Sequence, residues 1–410
     1  MIVIVRYRAG IGIIGFCWEK VFPMQMMYPS ISLLNNDFGD LTGHKVFWLS
    51  VGIVPWYQVF TGLLEFTSGF LLFFRKTVVL GSTLLIATLA AVGVVNIAYD
   101  NASHVYAFFF ALSGFFLLVP YIPKIYRLLI LELPAQAQQY RPAFSTPIAR
   151  YGRLVLKYGA IVVFCPLMAY LTCQTFLYDP YKQPPVAGVP GLEGYYDVRE
   201  FRLNGQVIPY DPSDSTRWSE AIFEKWTSLA IRVNRPVQLS LSNSGGYESD
   251  HAMRGIGRAF EMAGVAGGRR VFHYYADTIT QTLYLLDKNI PQRNLKNPRS
   301  EDVPLDTVYP VDWISAEAWG HIGDERTKIN PKAGSTLRDK AFAIPDEKEG
   351  ERQKMVLHYQ IEQKGDRVIL NGTNEYRDSV HIVLRRVNKH YALSESTLEA
   401  GDYDIQNKGN

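Results

Sequence analysis

The chain has very little cysteine. Cys17, Cys165 and Cys173 are the only three in 410 residues, and none belongs to a C-x-x-C pair. Cys165 and Cys173 lie two turns apart on one predicted helix, about 12 Å at about 1.5 Å per residue, which is beyond disulfide reach. Dithiol–disulfide chemistry is therefore not expected. No histidine sits in the middle of a long apolar run, which argues against haem ligation. There is no G-x-S-x-G, no P-loop and no dinucleotide fingerprint. Gly255-x-Gly257 and Gly264 with Gly267-Gly268 lack the strand–turn–helix context that phosphate binding needs. His251, His273, His321, His358, His381 and His390 show no metal-ligand spacing. His358 and His381 fit a solvated cross-strand pair better than a metal site. A net charge of +3 gives nucleic acid no purchase. The residues themselves predict no metal and no cofactor.

What the chain does have is a change of solvent near residue 178. Its mean hydropathy of −0.03 averages two unlike halves. Before that point, apolar and aromatic blocks cover about 56–74, 78–98, 105–121 and 154–178. Each approaches the ~20 apolar residues that cross a bilayer as a helix. A weaker block covers about 2–22, with Arg6 and Arg8 near its start and Glu19 and Lys20 near its end. Trp18, Glu19 and Lys20 stand where a signal peptide would carry small residues, so a retained helix is expected.

Loop charge then sets the orientation. Arg75-Lys76 follows the second helix, and Lys124, Arg127, Arg141, Arg150, Arg153 and Lys157 follow the fourth against a single Glu132. The other connections carry Asp37, Asp40 and Asp100, with Lys45 alone as a nearby base. Cytoplasmic loops are enriched in Lys and Arg. This predicts a cytoplasmic N-terminus, five spans and a C-terminal half outside. The basic stretch reads as a topology signal facing anionic lipid.

Polar groups at membrane depth need partners or a purpose. Glu65 falls near mid-helix. Asn96, Tyr99, Asp100 and His104 gather where the third helix ends and the fourth begins, and Lys20 closes the first helix on the same outer side. Together they form either a polar pocket opening outward or a set of interhelical hydrogen bonds and interfacial anchors. Pro166 is expected to kink the last helix.

The run Lys20-Val21-Phe22-Pro23-Met24-Gln25, then Gly39-Asp40, Phe47-Trp48, Tyr57-Gln58-Val59-Phe60-Thr61-Gly62-Leu63-Leu64-Glu65 and Gly69-Phe70-Leu71-Leu72-Phe73-Phe74-Arg75-Lys76-Thr77, resembles the DoxX-like membrane proteins. Leu80-Gly81 and Asn96…Tyr99-Asp100 continue the likeness, which covers roughly 10–130. Gly194-Tyr195-Tyr196-Asp197-Val198, Asn204-Gly205, Asp214-Ser215-Thr216-Arg217-Trp218 and Val383-Leu384-Arg385-Arg386-Val387 resemble the tail of some larger bacterial members. The resemblance implies a multi-pass bacterial inner-membrane protein built on a four-helix unit. Some relatives are subunits of thiosulfate:quinone oxidoreductases, so quinone is the cofactor it implies.

After a Pro- and Gly-rich linker at 179–193, alternation takes over. Val237, Leu239 and Leu241 form one such run, 355–361 and 380–384 two others, and strands are also expected at 196–203, 228–233, 270–275 and 282–287. Asn204-Gly205 and Lys364-Gly365-Asp366 mark hairpins. One helix is expected over 250–263, and residues 289–353 form an irregular excursion whose Trp313 and Trp319 imply docking on something. The expected architecture is a DoxX-like four-helix transmembrane unit (1–130), a cytoplasmic connection (131–153), a fifth transmembrane helix (154–178), an antiparallel all-β barrel or sandwich domain (194–391) in the periplasm, and a disordered tail (392–410). The expected function is an accessory or scaffold subunit, not an enzyme on its own, whose partners are the bilayer and other membrane or periplasmic proteins. The alternative is a quinone-linked oxidoreductase subunit using the polar pocket.

Overall fold

A computed structural model describes residues 2–101, 103–135, 146–180, 184, 186–237, 239–240, 256–289, 312–326, 330–333 and 352–393. The chain divides into two compact units that do not follow chain order. One holds 1–27 and 54–176, the other 28–53 and 177–410.

The first unit is helical. It contains α1 (Ile2–Val21), α4 (Pro55–Leu72), α5 (Val78–Ala98), α6 (His104–Leu118), α7 (Ile122–Leu129), α8 (Pro147–Val162) and most of α9 (Met168–Tyr178). The second unit contributes α2 (Ile31–Leu34) and α3 (Gly43–Gly52) from the connection between α1 and α4. Among the described residues, three continuous helices, Arg75–Ala98, His104–Leu129 and Arg150–Tyr178, are long and apolar enough to cross a membrane. Helices α1 and α4 fall short by themselves, α1 through its charged residues and α4 through Gln58, Glu65 and its small polar residues. The α1 and α4 backbones approach closely through glycine. A Cβ on Gly10 would lie 3.1 Å from the Gly69 carbonyl oxygen, and one on Gly62 would lie 2.9 Å from the Val21 nitrogen. Around Pro166 the last helix widens into a π-turn over Val163–Leu167, because proline removes one N–H from the ladder. Trp18 Nε1 donates to the Phe164 carbonyl in that turn at 2.9 Å.

In the second unit, β1 (Gly194–Leu203), β3 (Glu220–Phe223), β4 (Ser228–Arg232), β5 (Arg269–Asp277), β6 (Thr282–Asp287), β7 (Lys354–Glu362), β8 (Arg367–Thr373) and β9 (Ser379–Arg386) form an antiparallel meander. Pairing of β1 with β9, Tyr196 opposite Arg386 through Leu203 opposite Val380, closes it into an eight-stranded barrel. The sandwich alternative falls away. The two-residue β2 (Gln206–Val207) is a hairpin spur on β1, turned by Asn204 and Gly205 at φ 51° and 81°. Phe223, Ile231, Phe272, Tyr274, Leu285, Leu357, Leu370 and Ile382 are among the side chains filling the barrel, as eight strands leave just enough room for.

The wall from β3 to β6 is also buried on its outer face. Ile222, Ala230 and Val271 pack under Met262 and Ile31, and Tyr275 and Leu286 pack under Ile256, Ile314 and Ala318. Trp319 meets Tyr275 at 5.1 Å between ring centroids and Trp313 meets Tyr284 at 5.7 Å. The excursion thus docks its α10 (Ala316–Ile322) and Trp313 on the barrel. Burial on both faces explains why β3 and β5 carry no polar alternation. Three expectations change. Residues 256–263 form turns where a helix is expected, Val237 and Leu239 join no ladder, and β3 and β8 are added. Leu241, His251, most of the excursion and residues 394–410 of the tail lie outside the described residues.

Candidate functional site

In the helical unit the inward stripe of α4 is unusually polar. Gln58, Glu65 and Ser68 are all buried on it. Gln58 is sealed by main chain, its side-chain Oε1 accepting from Met26 N–H at 2.7 Å while its Nε2 donates to the Met26 carbonyl at 3.0 Å. Two turns further along stands Glu65, 1% exposed, with the Lys20 ammonium on its Oε1. Glu65 Oε2 is enclosed without a hydrogen-bond partner. The structure therefore brings Lys20 to Glu65.

Among the described residues, no hydrogen bond joins Asn96, Asp100 or His104 to that carboxylate. Asn96 is buried near the end of α5, and its carbonyl accepts from Asn101 N–H at 2.7 Å. Tyr99 and Asp100 are exposed at the turn, with Asp100 in left-handed backbone at φ 53°. His104 opens α6 and its Nδ1 lies 2.9 Å from the Asn101 carbonyl. These four shape the α5–α6 turn. Among the described residues, no group of His, Cys, Asp and Glu is placed to hold a metal ion.

The second unit carries a network of buried charge that no motif announces. Glu224 in the β3–β4 turn receives the N–H groups of Ile31 at 3.0 Å and Ser32 at 2.8 Å. Burial pushes its carboxyl up, and Ser32 and Ile31 pull it partly back. Lys288 meets Glu261 at 3.2 Å, Trp226 Nε1 donates to the same carboxylate at 2.6 Å, and Arg258 meets Asp179 at 3.0 Å. His273, enclosed in the β5 wall, is held well below the usual imidazole range by burial and by Lys288, Arg352 and Arg258. Arg270 closes one end of the barrel interior, reaching Asp287 at 2.8 Å and Glu375 at 2.6 Å.

Residues 28–53 bind into this network as a strap. Arg232 meets Asp37 at 2.6 Å and Asp40 at 2.9 Å, Arg269 donates to Asn36, and Thr42 N–H donates to the Gly264 carbonyl. Lys45 is fully enclosed, donating to the Phe260 carbonyl with its ammonium 4.5 Å from the Phe260 ring centroid. Burial pushes it down to about 7.

Beside the strap opens a groove of about 1140 Å³. Its walls carry Tyr210, Trp218, Arg199, Arg235, Asp211 and Asp214, so both charge signs and aromatic faces line it. Arg217 in its wall is structural, since its guanidinium donates to the carbonyls of Val198, Ile208 and Trp218. Gly267 and Gly268 form its edge at φ 72° and 75°. A Cβ on Gly268 would lie 1.9 Å from the Val233 carbonyl oxygen, so only glycine fits there. No protein-family model, curated protein or solved structure matches the chain.

Proposed function

We propose that the protein is an integral membrane accessory or scaffold subunit of DoxX-like type, with an extracytoplasmic barrel whose groove docks a partner protein. The observation that carries this reading is the strap. Residues 28–53 and 177–410 share one compact unit, so the chain leaves and re-enters the same side of a bilayer between Ile53 and Leu177. An even number of crossings is then required, and α4, α5, α6–α7 and α8–α9 supply it. That parity supports counting α4 as a span, and with α1 as a fifth it puts the N-terminus opposite the barrel. The basic Arg75-Lys76 and Lys124–Lys157 connections favour the cytoplasmic side for that N-terminus. A groove lined by aromatic faces and both charge signs suits a polypeptide surface better than a small apolar ligand. Its natural setting is then the periplasmic face of a bacterial inner membrane.

The test is a photo-crosslinker at Tyr210 or Asp214 in the full chain, followed by mild-detergent purification and mass spectrometry. The reading expects one protein to be captured in stoichiometric yield, with capture lost when the crosslinker moves to Val207 on the β2 spur. Equal capture from both positions overturns it.

The second reading, a quinone-linked oxidoreductase subunit, draws on the Lys20–Glu65 pair. A buried carboxylate with one satisfied and one open oxygen suits a hydroxyl or protonated headgroup. Organic extraction of the purified chain should then release a quinone, and Glu65→Gln should lower its yield without changing the elution profile. An extract free of quinone removes this reading and leaves the first intact.

A further inference from the structure

The opposite end of the helical unit, where α1 begins and α4 ends, holds a concentration of positive charge that the docking reading does not use. Arg6 is 7% exposed on α1. Its guanidinium carbon lies 5.1 Å from the Tyr7 ring centroid, and its Nε is buried without a hydrogen-bond acceptor. Tyr7 in turn stands 5.7 Å from Phe73, while the Lys157 ammonium lies 4.2 Å from the Phe74 ring centroid. The charges acting on that ammonium are those of Arg153, Arg6 and Arg75, all of its own sign. Like charges gathered on aromatic faces in a low-dielectric setting repel one another strongly.

Among the described residues, the acids of this unit pair with neither Arg6 nor Lys157. They are Glu19, Glu65, Asp100 and Glu132. Glu65 is occupied by Lys20, Glu19 and Asp100 belong to the other end of the unit, and Glu132 is exposed beyond α7. A buried guanidinium nitrogen lacking an acceptor, as Arg6 Nε does, is costly unless an anion completes it. We propose that Arg6 and Lys157, with Arg75 and Arg153 around them, form a site for the phosphate headgroup of an anionic phospholipid. A guanidinium donates two parallel N–H bonds to phosphate oxygens in a bidentate fork, and the apolar surfaces of α1, α4 and α8 beside it suit acyl chains. A lipid is favoured over a soluble phosphate because Tyr7, Phe73, Phe74 and Phe164 make the surroundings apolar. The proposal rests only on insertion in a membrane and stands whether or not the groove docks a partner.

The test uses the full chain, reconstituted in phosphatidylcholine vesicles containing a minority of phosphatidylglycerol, then extracted and examined by native mass spectrometry. Phosphatidylglycerol should be retained over phosphatidylcholine, and Arg6→Gln and Lys157→Gln should each lower retention about five-fold. The double variant Lys124→Gln/Arg127→Gln, which removes as many charges elsewhere, should leave it within about two-fold. If Arg6→Gln elutes as an aggregate, Lys157→Gln alone decides. Equal loss in the Lys124/Arg127 double variant would mean diffuse attraction and overturn the site. Displacement of phosphatidylglycerol by inorganic phosphate in excess would name free phosphate as the occupant and overturn the lipid assignment.

Discussion

The two units bury charge by opposite rules. The helical unit rations it, with one enclosed ion pair, Lys20–Glu65, and one enclosed guanidinium, Arg6, among the described residues. The barrel unit encloses Arg258–Asp179, Lys288–Glu261, Arg270–Asp287–Glu375 and Arg269–Glu220. A helix in lipid satisfies its own backbone, so apolar side chains suffice and every ion is a cost. The barrel unit instead has to seat irregular segments, the strap and the 256–265 turns, whose backbone has no ladder to join. Directed charge supplies what apolar contact lacks, because a carboxylate on two N–H groups fixes a loop in one register. Charge in the barrel unit specifies where loops sit.

Removing the strap should have the largest effect. A fragment of 194–391 alone should lack cooperative thermal unfolding, since Glu224, Arg232 and Arg269 would lose their partners in residues 28–53 and Ile31 would leave the outer apolar face. Adding a peptide of residues 28–53 to residues 177–410 should restore a transition in circular dichroism. A fully cooperative 194–391 fragment would reduce the strap to decoration.

Next in size is Arg270→Met, which strands Asp287 and Glu375 at the barrel end. Removing one partner of a buried pair costs about 3–5 kcal/mol. Denaturant unfolding should register that loss, and the triple change with Asp287→Leu and Glu375→Leu should recover most of it. In the helical unit, Glu65→Leu strands Lys20 in the same way, but Lys20 is 12% exposed and close to its helix end. Its stem can reach toward the interface, so the loss should be smaller, about 1–3 kcal/mol. A Glu65→Leu loss larger than that of Arg270→Met would reverse the comparison.

Lys45 gives the comparison a pH axis. Its ammonium is enclosed and its folded value of about 7 lies below the ordinary 10.5. The unfolded chain therefore binds more protons between those values, and stability from this group rises with pH across that window. Below about pH 7 both states are protonated and the cost is fully present. Lys45→Met should flatten the rise between pH 7 and 10 relative to the natural chain, read as Tm against pH. An unchanged slope would mean that water reaches the ammonium.

How much of this is legible in the sequence depends on the distance between partners. The apolar runs and the Asn204-Gly205 hairpin read out locally, because periodicity and turn chemistry are local properties. Strand β3 hides its alternation because both its faces are covered. The strap is invisible, since Ser32 and Glu224 are 192 positions apart and neither belongs to a motif. Lys20 and Glu65 are legible as polar residues at depth, yet which of the nearby polar groups Glu65 chooses is set by the glycine-mediated approach of α1 to α4. Arg6 reads as an interfacial base, and only the packing of Tyr7 against Phe73 shows it enclosed.

The smallest expected effect lies on the β2 spur, the part of the barrel unit that neither rule governs. Gly205 sits at φ 81° with open space where a Cβ would go. Gly205→Ala therefore meets no atom, and its cost is backbone strain alone, about 1 kcal/mol. Asn204 should hold the turn regardless, because its Nδ2 donates to Asp378 at 2.9 Å and its Oδ1 accepts from Ser379 N–H at 2.9 Å. The barrel closes through β1 and β9 without β2, so Tm should fall slightly and the transition should stay cooperative. A large loss of cooperativity from this one exposed methyl would show that closure depends on the spur, and that the barrel wall is not self-sufficient at the β1–β9 seam.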